Sequence, residues 1–144
     1  MIHRITNPAA LDIPEIEGLL TRAFEQHPWL RFPLVKYELA TNIQHWSWGL
    51  FIGFEQMTPK AMLLVSLPTS VFGHVSVVMI YNEGSKKLAG QLIDRGVEWT
   101  RNSGYNEAVV MNGSRAPDEI WLRAFRRAGT MHRLGSVYRL ELAQ

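Results

Sequence analysis

The sequence predicts a single α/β domain whose mixed sheet has a strand–helix–strand unit at its centre. The chain has 144 residues, of which 47% are hydrophobic, so it can bury one substantial core but has no room for a second domain. Apolar residues recur with a helical period in some segments and with a strand period in others, and the two kinds alternate along the chain. No repeat or linker divides residues 1–144, so we interpret them as one domain.

The first half begins with signals for two helices. Asp12 is a capping residue, Pro14 suits the first turn, and Glu15 follows three positions after the cap. Apolar positions after them share one face, which predicts a helix over about 13–25. A proline-rich loop then ends this helix, and a second helix is expected from about 34 to 45.

Three strands should follow these helices. Trp48–Glu55 and Lys60–Ser66 form a predicted hairpin, with the turn at 57–60. The run from His74 to Tyr81 is the richest in β-branched and apolar residues, which indicates a central strand.

The second half alternates helices and strands. A helical period begins at Ser85 and ends at Gly104, and Glu107–Asn112 is the next strand. A helix over 117–128 and a last strand over 136–142 complete the order. A mixed sheet with a central strand–helix–strand unit accommodates this order.

Composition excludes several kinds of chemistry. The chain has no cysteine, which rules out disulfides, thiolate metal sites and a cysteine nucleophile. Residues 1–8 lack the long apolar core of a signal peptide, so a reducing, cytoplasmic compartment is the default expectation, although a chain without cysteine is also compatible with export. Basic and acidic side chains number 15 and 13, so charge alone does not indicate nucleic acid. No stretch approaches the ~20 apolar residues that span a bilayer, and the histidines lack metal-ligand spacing, so neither a membrane span nor a metal is expected.

The segment from Val77 to Ile93 resembles the coenzyme-binding segment of the acyl-CoA N-acyltransferase (GNAT) superfamily. Its flanks agree with the family patterns: Glu98–Tyr105 resembles a helix end, Phe125–Thr130 a second helix end, and Val137–Leu142 a last strand. The resemblance implies a mostly antiparallel sheet with a central coenzyme unit flanked by helices. It also implies acetyl-CoA, or another acyl-CoA, as the co-substrate.

In the family the pyrophosphate of the coenzyme meets a helix N-terminus, where free N–H groups and the helix dipole favour an anion. The family's Gln/Arg, Gly and Gly/Ala positions correspond here to Gly84, Lys87 and Ala89, and Ala89 alone fits the pattern. In one interpretation the following backbone still binds phosphate, aided by the two lysine charges: Ser85, Lys86, Lys87, Leu88 and Ala89. In the other, Ser85 only caps the helix and both lysines are solvated.

The resemblance also places the pantetheine arm of the coenzyme. It implies main-chain contacts at Val77, Val78 and Met79, in a slot where this strand separates from a neighbour that ends near Asn112. The alternative is that both strands are ordinary sheet core.

Amine attack on a thioester needs a base and an acid. Family members commonly supply the base near the start of the central strand, which here is His74, and Glu55 on the preceding hairpin is the alternative. The family's acid is a tyrosine, but Phe125 stands at that position. Tyr138 is a substitute, although a packing role in the last strand is favoured for it.

Acceptor specificity in such folds lies between the first two helices and near the hairpin. Five side chains there could line an acceptor pocket, or anchor loops: His27, Trp29, Phe32, Trp46 and Trp48. None of them identifies the acceptor, which we expect to be a primary amine on a small molecule or a protein.

Three functions therefore compete. The leading one is acyl-CoA-dependent N-acyltransfer, and the second is a non-catalytic GNAT-fold binding or structural module, which Lys87 and Phe125 favour. The third is nucleic-acid binding through a basic cluster, which we consider less favoured than a solvated helix face: Arg123, Arg126, Arg127, His132 and Arg133. By resemblance, the chain would also pair into a homodimer.

Overall fold

A computed structural model describes residues 1–26, 31–71, 73–111, 123–134 and 137–143. The described helices and strands are β1 (Ile2–Ile5), α1 (Pro14–Phe24), α2 (Phe32–Gln44), β2 (Trp48–Glu55), β3 (Thr58–Ser66), β4 (Ser76–Asn82), α3 (Lys86–Asn102), β5 (Glu107–Met111), β6 (Gly129–Leu134) and β7 (Val137–Leu142). A short 3-10 helix at Pro8–Asp12 precedes α1, and residues 123–126 are also helical.

The strands form one mixed sheet in the order β1-β2-β3-β4-β5-β7-β6. Every neighbouring pair is antiparallel except β4 and β5, which are parallel and are joined through α3. This arrangement confirms the predicted mixed, mostly antiparallel sheet with a central strand–helix–strand unit. It also confirms β4 as the central strand, with three strands on each side.

Helices cover both faces of the sheet. One apolar core lies between α3 and the sheet and includes Phe125, while α1 and α2 build the second core on the opposite face. The helix α3 approaches the sheet closely because two glycines lack side chains at the contact. A Cβ on Gly96 would lie 2.4 Å from Leu63 Cδ2, and one on Gly53 would lie 2.9 Å from Leu88 Cδ1.

The ends of α3 follow the sequence prediction. Ser85 is the N-cap, and the helix ends at Asn102. Gly104 adopts a φ of +93°, a left-handed conformation that glycine tolerates, and the N–H of Tyr105 donates to the carbonyl of Thr100 at 3.2 Å. This Schellman-type ending fixes where the chain turns back toward β5.

Two strands and one turn differ from the sequence prediction. The edge strands β1 and β6 were not predicted, because β1 has only four residues and β6 carries the charged residues typical of a protected edge. The hairpin turn lies at Gln56 and Met57 rather than at 57–60, because Thr58 pairs with Glu55 and already belongs to β3. The helix α2 begins at Phe32, two residues earlier than expected.

Candidate functional site

The two central parallel strands pair over a short stretch. In the described residues, Ser76 pairs with Val109 and Val77 with Val110, and no further pair joins β4 to β5. The strand β4 continues to Asn82, paired there in the described chain with β3. Backbone groups of alternate β4 residues beyond Val77 therefore point away from β3, toward the side of the sheet on which β5 lies.

A β-bulge lies where this ladder ends. Val65 pairs with Val77 and Leu64 with Met79, so Val78 is the extra residue of β4. Val78 and Met79 consequently pack against the same core, that of α1 and α2, instead of alternating. A bulge bends its strand and increases the local twist, and this one follows directly on the last described β4–β5 pair, Val77 with Val110.

The turn between β4 and α3 is held by the side chain of Asn82. Its Oδ1 accepts the Gly84 N–H at 2.9 Å, and its Nδ2 donates to the carbonyls of Gly84 and Ser85 at 3.2 and 3.1 Å. The N–H of Glu83 also donates to the Lys60 carbonyl at 2.7 Å. These bonds fix the path of the chain from β4 to the first residue of α3.

An ion pair ties the same turn to α1. Arg22 donates two hydrogen bonds to the Glu83 carboxylate, at 2.8 and 2.9 Å, and the Tyr81 hydroxyl donates a third at 2.9 Å. The bond from Arg22 holds the pKa of Glu83 below its ordinary value, whereas burial raises the pKa of Tyr81. Sequence reasoning missed this cluster, since Arg22 and Glu83 are 61 positions apart and no local pattern links them.

The first turn of α3 retains two free backbone N–H groups. Ser85 Oγ accepts the Leu88 N–H at 3.1 Å, and the Ser85 carbonyl accepts that of Ala89 at 3.2 Å. The N–H groups of Lys86 and Lys87 have no acceptor among the described residues, as expected at the first two helical positions. Ser85 is thus the helix cap, and Lys86 and Lys87 are both exposed, while phosphate binding over 85–89 stays a prediction.

Glu55 lies at the start of α3 rather than at the end of the β4–β5 ladder. Its Oε1 accepts the Ser85 N–H at 2.6 Å. This bond holds the pKa of the half-buried Glu55 carboxyl below its ordinary value. A general base near neutral pH benefits from a raised pKa, so the contact fits an anion at a helix N-terminus better than a base.

One arginine of the basic cluster approaches α3. A Cβ on Gly90 would lie 2.6 Å from Arg127 Nη2, so the guanidinium rests in the space that the glycine leaves. Gly90 belongs to the second turn of α3, close to Lys86 and Lys87. Arg127 therefore adds positive charge near the start of α3, and the side chains of His132 and Arg133 lie outside the described part of the structure.

The structure separates the residues predicted to carry the chemistry. His74 is exposed and precedes β4, four residues before the bulge at Val78, which is roughly 13 Å along an extended chain. Phe125 is only 2% exposed, and it lines a small apolar cavity between α3 and the sheet. A catalytic role for His74, or for Glu55 as the alternative, stays a prediction.

Several predicted site residues lie outside the described part of the chain. These are Asn112, His27 and Trp29, and the side chain of Tyr138 is likewise not described. Of the remaining aromatic residues, Phe32 is buried against Phe24, Trp48 is half-buried and Trp46 is exposed. Phe32 is therefore a core residue, as the loop-anchor alternative predicted.

Solved structures with the same architecture are acetyltransferases. An aminoglycoside 6'-acetyltransferase type Ii superposes with a TM-score of 0.70 at 10% identity, over 100% of this chain and 98% of its own. The PaiA N-acetyltransferase of Thermoplasma acidophilum, in complex with coenzyme A, gives 0.68 at 12% identity, over 98% and 99%. A putative GNAT acetyltransferase from Desulfovibrio desulfuricans gives 0.65 at 17% identity, over 99% of both chains.

This chain has the GNAT fold. The superpositions cover its whole length, so the earlier helices and the hairpin agree with the GNAT plan as well as the segment that carried the sequence resemblance. No protein-family model and no curated protein matches the sequence. At identities of 10–17%, these similarities show the fold of this chain and do not show its substrate.

Neither a metal-ligand cluster nor a membrane-spanning helix is found among the described residues. They contain no group of three or more His, Cys, Asp or Glu side chains arranged to hold a metal ion. They also contain no helix long and apolar enough to cross a membrane.

Proposed function

We propose that this chain is an acyl-CoA-dependent N-acyltransferase that moves an acetyl group from acetyl-CoA to a primary amine. The observation that carries the proposal is that, within the described residues, β4 pairs with β5 only at Ser76 and Val77, whereas β4 itself continues past the bulge at Val78 to Asn82. It leaves a stretch of β4 backbone with groups available to the amides of a pantetheine arm. The turn after this stretch leads directly to the N-terminus of α3.

The phosphate end of the coenzyme would lie at that N-terminus. The free N–H groups of Lys86 and Lys87, their two side-chain charges and the nearby guanidinium of Arg127 together favour an anion. A neighbour with the same fold is described in complex with coenzyme A, which supports a ligand of this class.

The transfer itself is direct. The amine nitrogen attacks the thioester carbonyl carbon, the carbon–sulfur bond breaks, and the thiolate leaves with a proton from an acid or from water. A base removes the proton that the amine loses. His74 is the predicted base, acting through water because of its distance from Val78, and a buried Phe125 offers no proton.

A second function is supported by the same Phe125. Its side chain packs in an apolar core where the family resemblance implies a tyrosine, so a non-catalytic binding or structural module with the GNAT fold is the alternative. Such a protein would bind an acyl-CoA without turning it over, or would not bind it. In either case the proposed location is the cytoplasm, the default expectation from the sequence.

Release of coenzyme A thiol tests the two functions against each other. The protein has no cysteine, so a thiol-reactive dye would report only the product. Acetyl-CoA would be incubated with diamines, aminoglycosides and lysine-containing peptides in turn. Amine-dependent thiol release, reduced in His74→Ala, would support transfer with His74 as base, and binding of acetyl-CoA without release from any amine would favour the module.

A further inference from the structure

The N-terminus of α3 already holds an anion that belongs to the protein. Glu55, the last residue of β2, reaches across to α3 and accepts the Ser85 N–H at 2.6 Å. This N–H is the one adjacent to the free N–H groups of Lys86 and Lys87. A carboxylate therefore shares the space in which a phosphate would meet the helix dipole.

Gly84 makes room for this carboxylate. A Cβ at this position would lie 2.3 Å from Glu55 Oε1, closer than real contacts allow, and 2.9 Å from Leu88 Cδ2. Any other residue at position 84 would displace the Glu55 side chain. The departure from the resembled pattern, glycine where Gln or Arg is expected, and the position of Glu55 are thus one structural feature.

The hairpin that presents Glu55 is conformationally strained. Gln56 and Met57 both adopt left-handed φ values, 50° and 64°, in a two-residue turn whose usual residues are Asn and Gly. Residues with a side chain adopt this conformation at an energetic cost that glycine does not have. Glu55 pairs with Thr58 directly beneath this turn, so the hairpin tip fixes where the Glu55 backbone lies.

We propose that Glu55 determines affinity at the phosphate end of the coenzyme site, as an internal anion that a ligand phosphate has to displace. The inference rests on the proposed function. Two anions cannot both accept the Ser85 N–H, and like charges within a few ångströms repel each other. Because Glu55 is only half-buried and sits at a hairpin tip, its side chain can rotate away when a phosphate binds, and the affinity of wild type is lowered accordingly.

The substitution Glu55→Gln keeps the size of the side chain and removes its charge. Calorimetric titration with coenzyme A should show affinity about tenfold higher than wild type, the scale of one charge-assisted hydrogen bond. Pantetheine, which has the arm but no phosphate, should bind both proteins equally. Glu15→Gln is the matched control, because it makes the same change of net charge at an exposed position on α1.

A second measurement follows the contact itself. The Ser85 amide resonance of wild type should shift on saturation with coenzyme A, as Glu55 gives way to phosphate, and the Glu55→Gln protein should start from a different value. Coenzyme A binding that is equal in wild type and Glu55→Gln, or that leaves the Ser85 amide unmoved, overturns the inference alone. If neither protein binds coenzyme A, the inference and the proposed function both fail.

Discussion

The two ends of the candidate site differ in how they are built. At the phosphate end, around Asn82–Ser85, side chains brace the turn and supply charge, although the glycine pattern of the resembled family is mostly absent. Around Val78, the proposed acyl end, β4 carries a bulge, while Phe125 is an apolar core residue on the opposite face of the sheet. Under the proposed function, coenzyme binding and catalysis depend on different parts of the chain, and either can be tested without the other.

The largest effect on stability is expected at Phe125, which packs in the apolar core between α3 and the sheet. Phe125→Ala should lower the free energy of unfolding by about 3–5 kcal/mol, because it enlarges a cavity in the α3 core. Urea unfolding measures this, with Phe125→Leu as the milder control. A loss below 1 kcal/mol would contradict the buried position.

Phe125→Tyr separates packing from acid catalysis. A hydroxyl placed among apolar side chains should cost about 1–3 kcal/mol of stability and leave any acetyl-transfer rate unchanged. Urea unfolding and thiol release would be measured on the same preparation. A rise in kcat would instead show that position 125 reaches the leaving sulfur and that wild type lacks an acid there.

Asn82 tests whether the phosphate end depends on side-chain bracing. Asn82→Ala removes three hydrogen bonds within the turn and should cost about 1–2 kcal/mol in unfolding free energy. It should also weaken coenzyme A binding, which calorimetry measures. Asn102→Ala, at the far end of α3, is the control, and equal behaviour of the two variants would exclude the bracing role.

The smallest effect concerns Arg22 and Glu83, whose side chains are 48% and 25% exposed. Arg22→Ala should cost less than about 1 kcal/mol at neutral pH, since exposed ion pairs contribute little. The folded-state pKa of Glu83 is lowered, so the pair stabilises the fold above the unfolded pKa of ~4.3 and loses this contribution as pH falls through the folded value. Urea unfolding at pH 7 and pH 3 should show the difference between variant and wild type shrinking in acid, and a difference that grows would contradict the pairing.

Local patterns predicted the elements that bury a regular face. The strand β2 and the ends of α3 at Ser85 and Gly104 agree with expectation, because strand periodicity, a serine cap and a C-terminal glycine are local signals. The edge strands β1 and β6 were missed since their residues carry weak or charged patterns.

The site was less predictable than the fold. The free N–H groups at the start of α3 could be predicted, because the first turn of a helix leaves its N–H groups without intrahelical acceptors. The contact of Glu55 with Ser85 could not, because it joins residues 30 positions apart. It depends on the exact close approach of a hairpin tip to a helix, and on Gly84 leaving space between them. Such tertiary contacts have no signature in a single sequence.

The most direct test of the account is calorimetric titration with acetyl-CoA of wild type, Lys87→Glu and Arg101→Glu. Lys87 is at the second position of α3, and Arg101 is roughly 21 Å further along the same helix, so both variants reverse a charge but only one does so at the phosphate end. We expect wild type and Arg101→Glu to bind acetyl-CoA alike, and Lys87→Glu to bind it at least about tenfold more weakly. No binding by folded wild type, or equal binding by all three proteins, would contradict it.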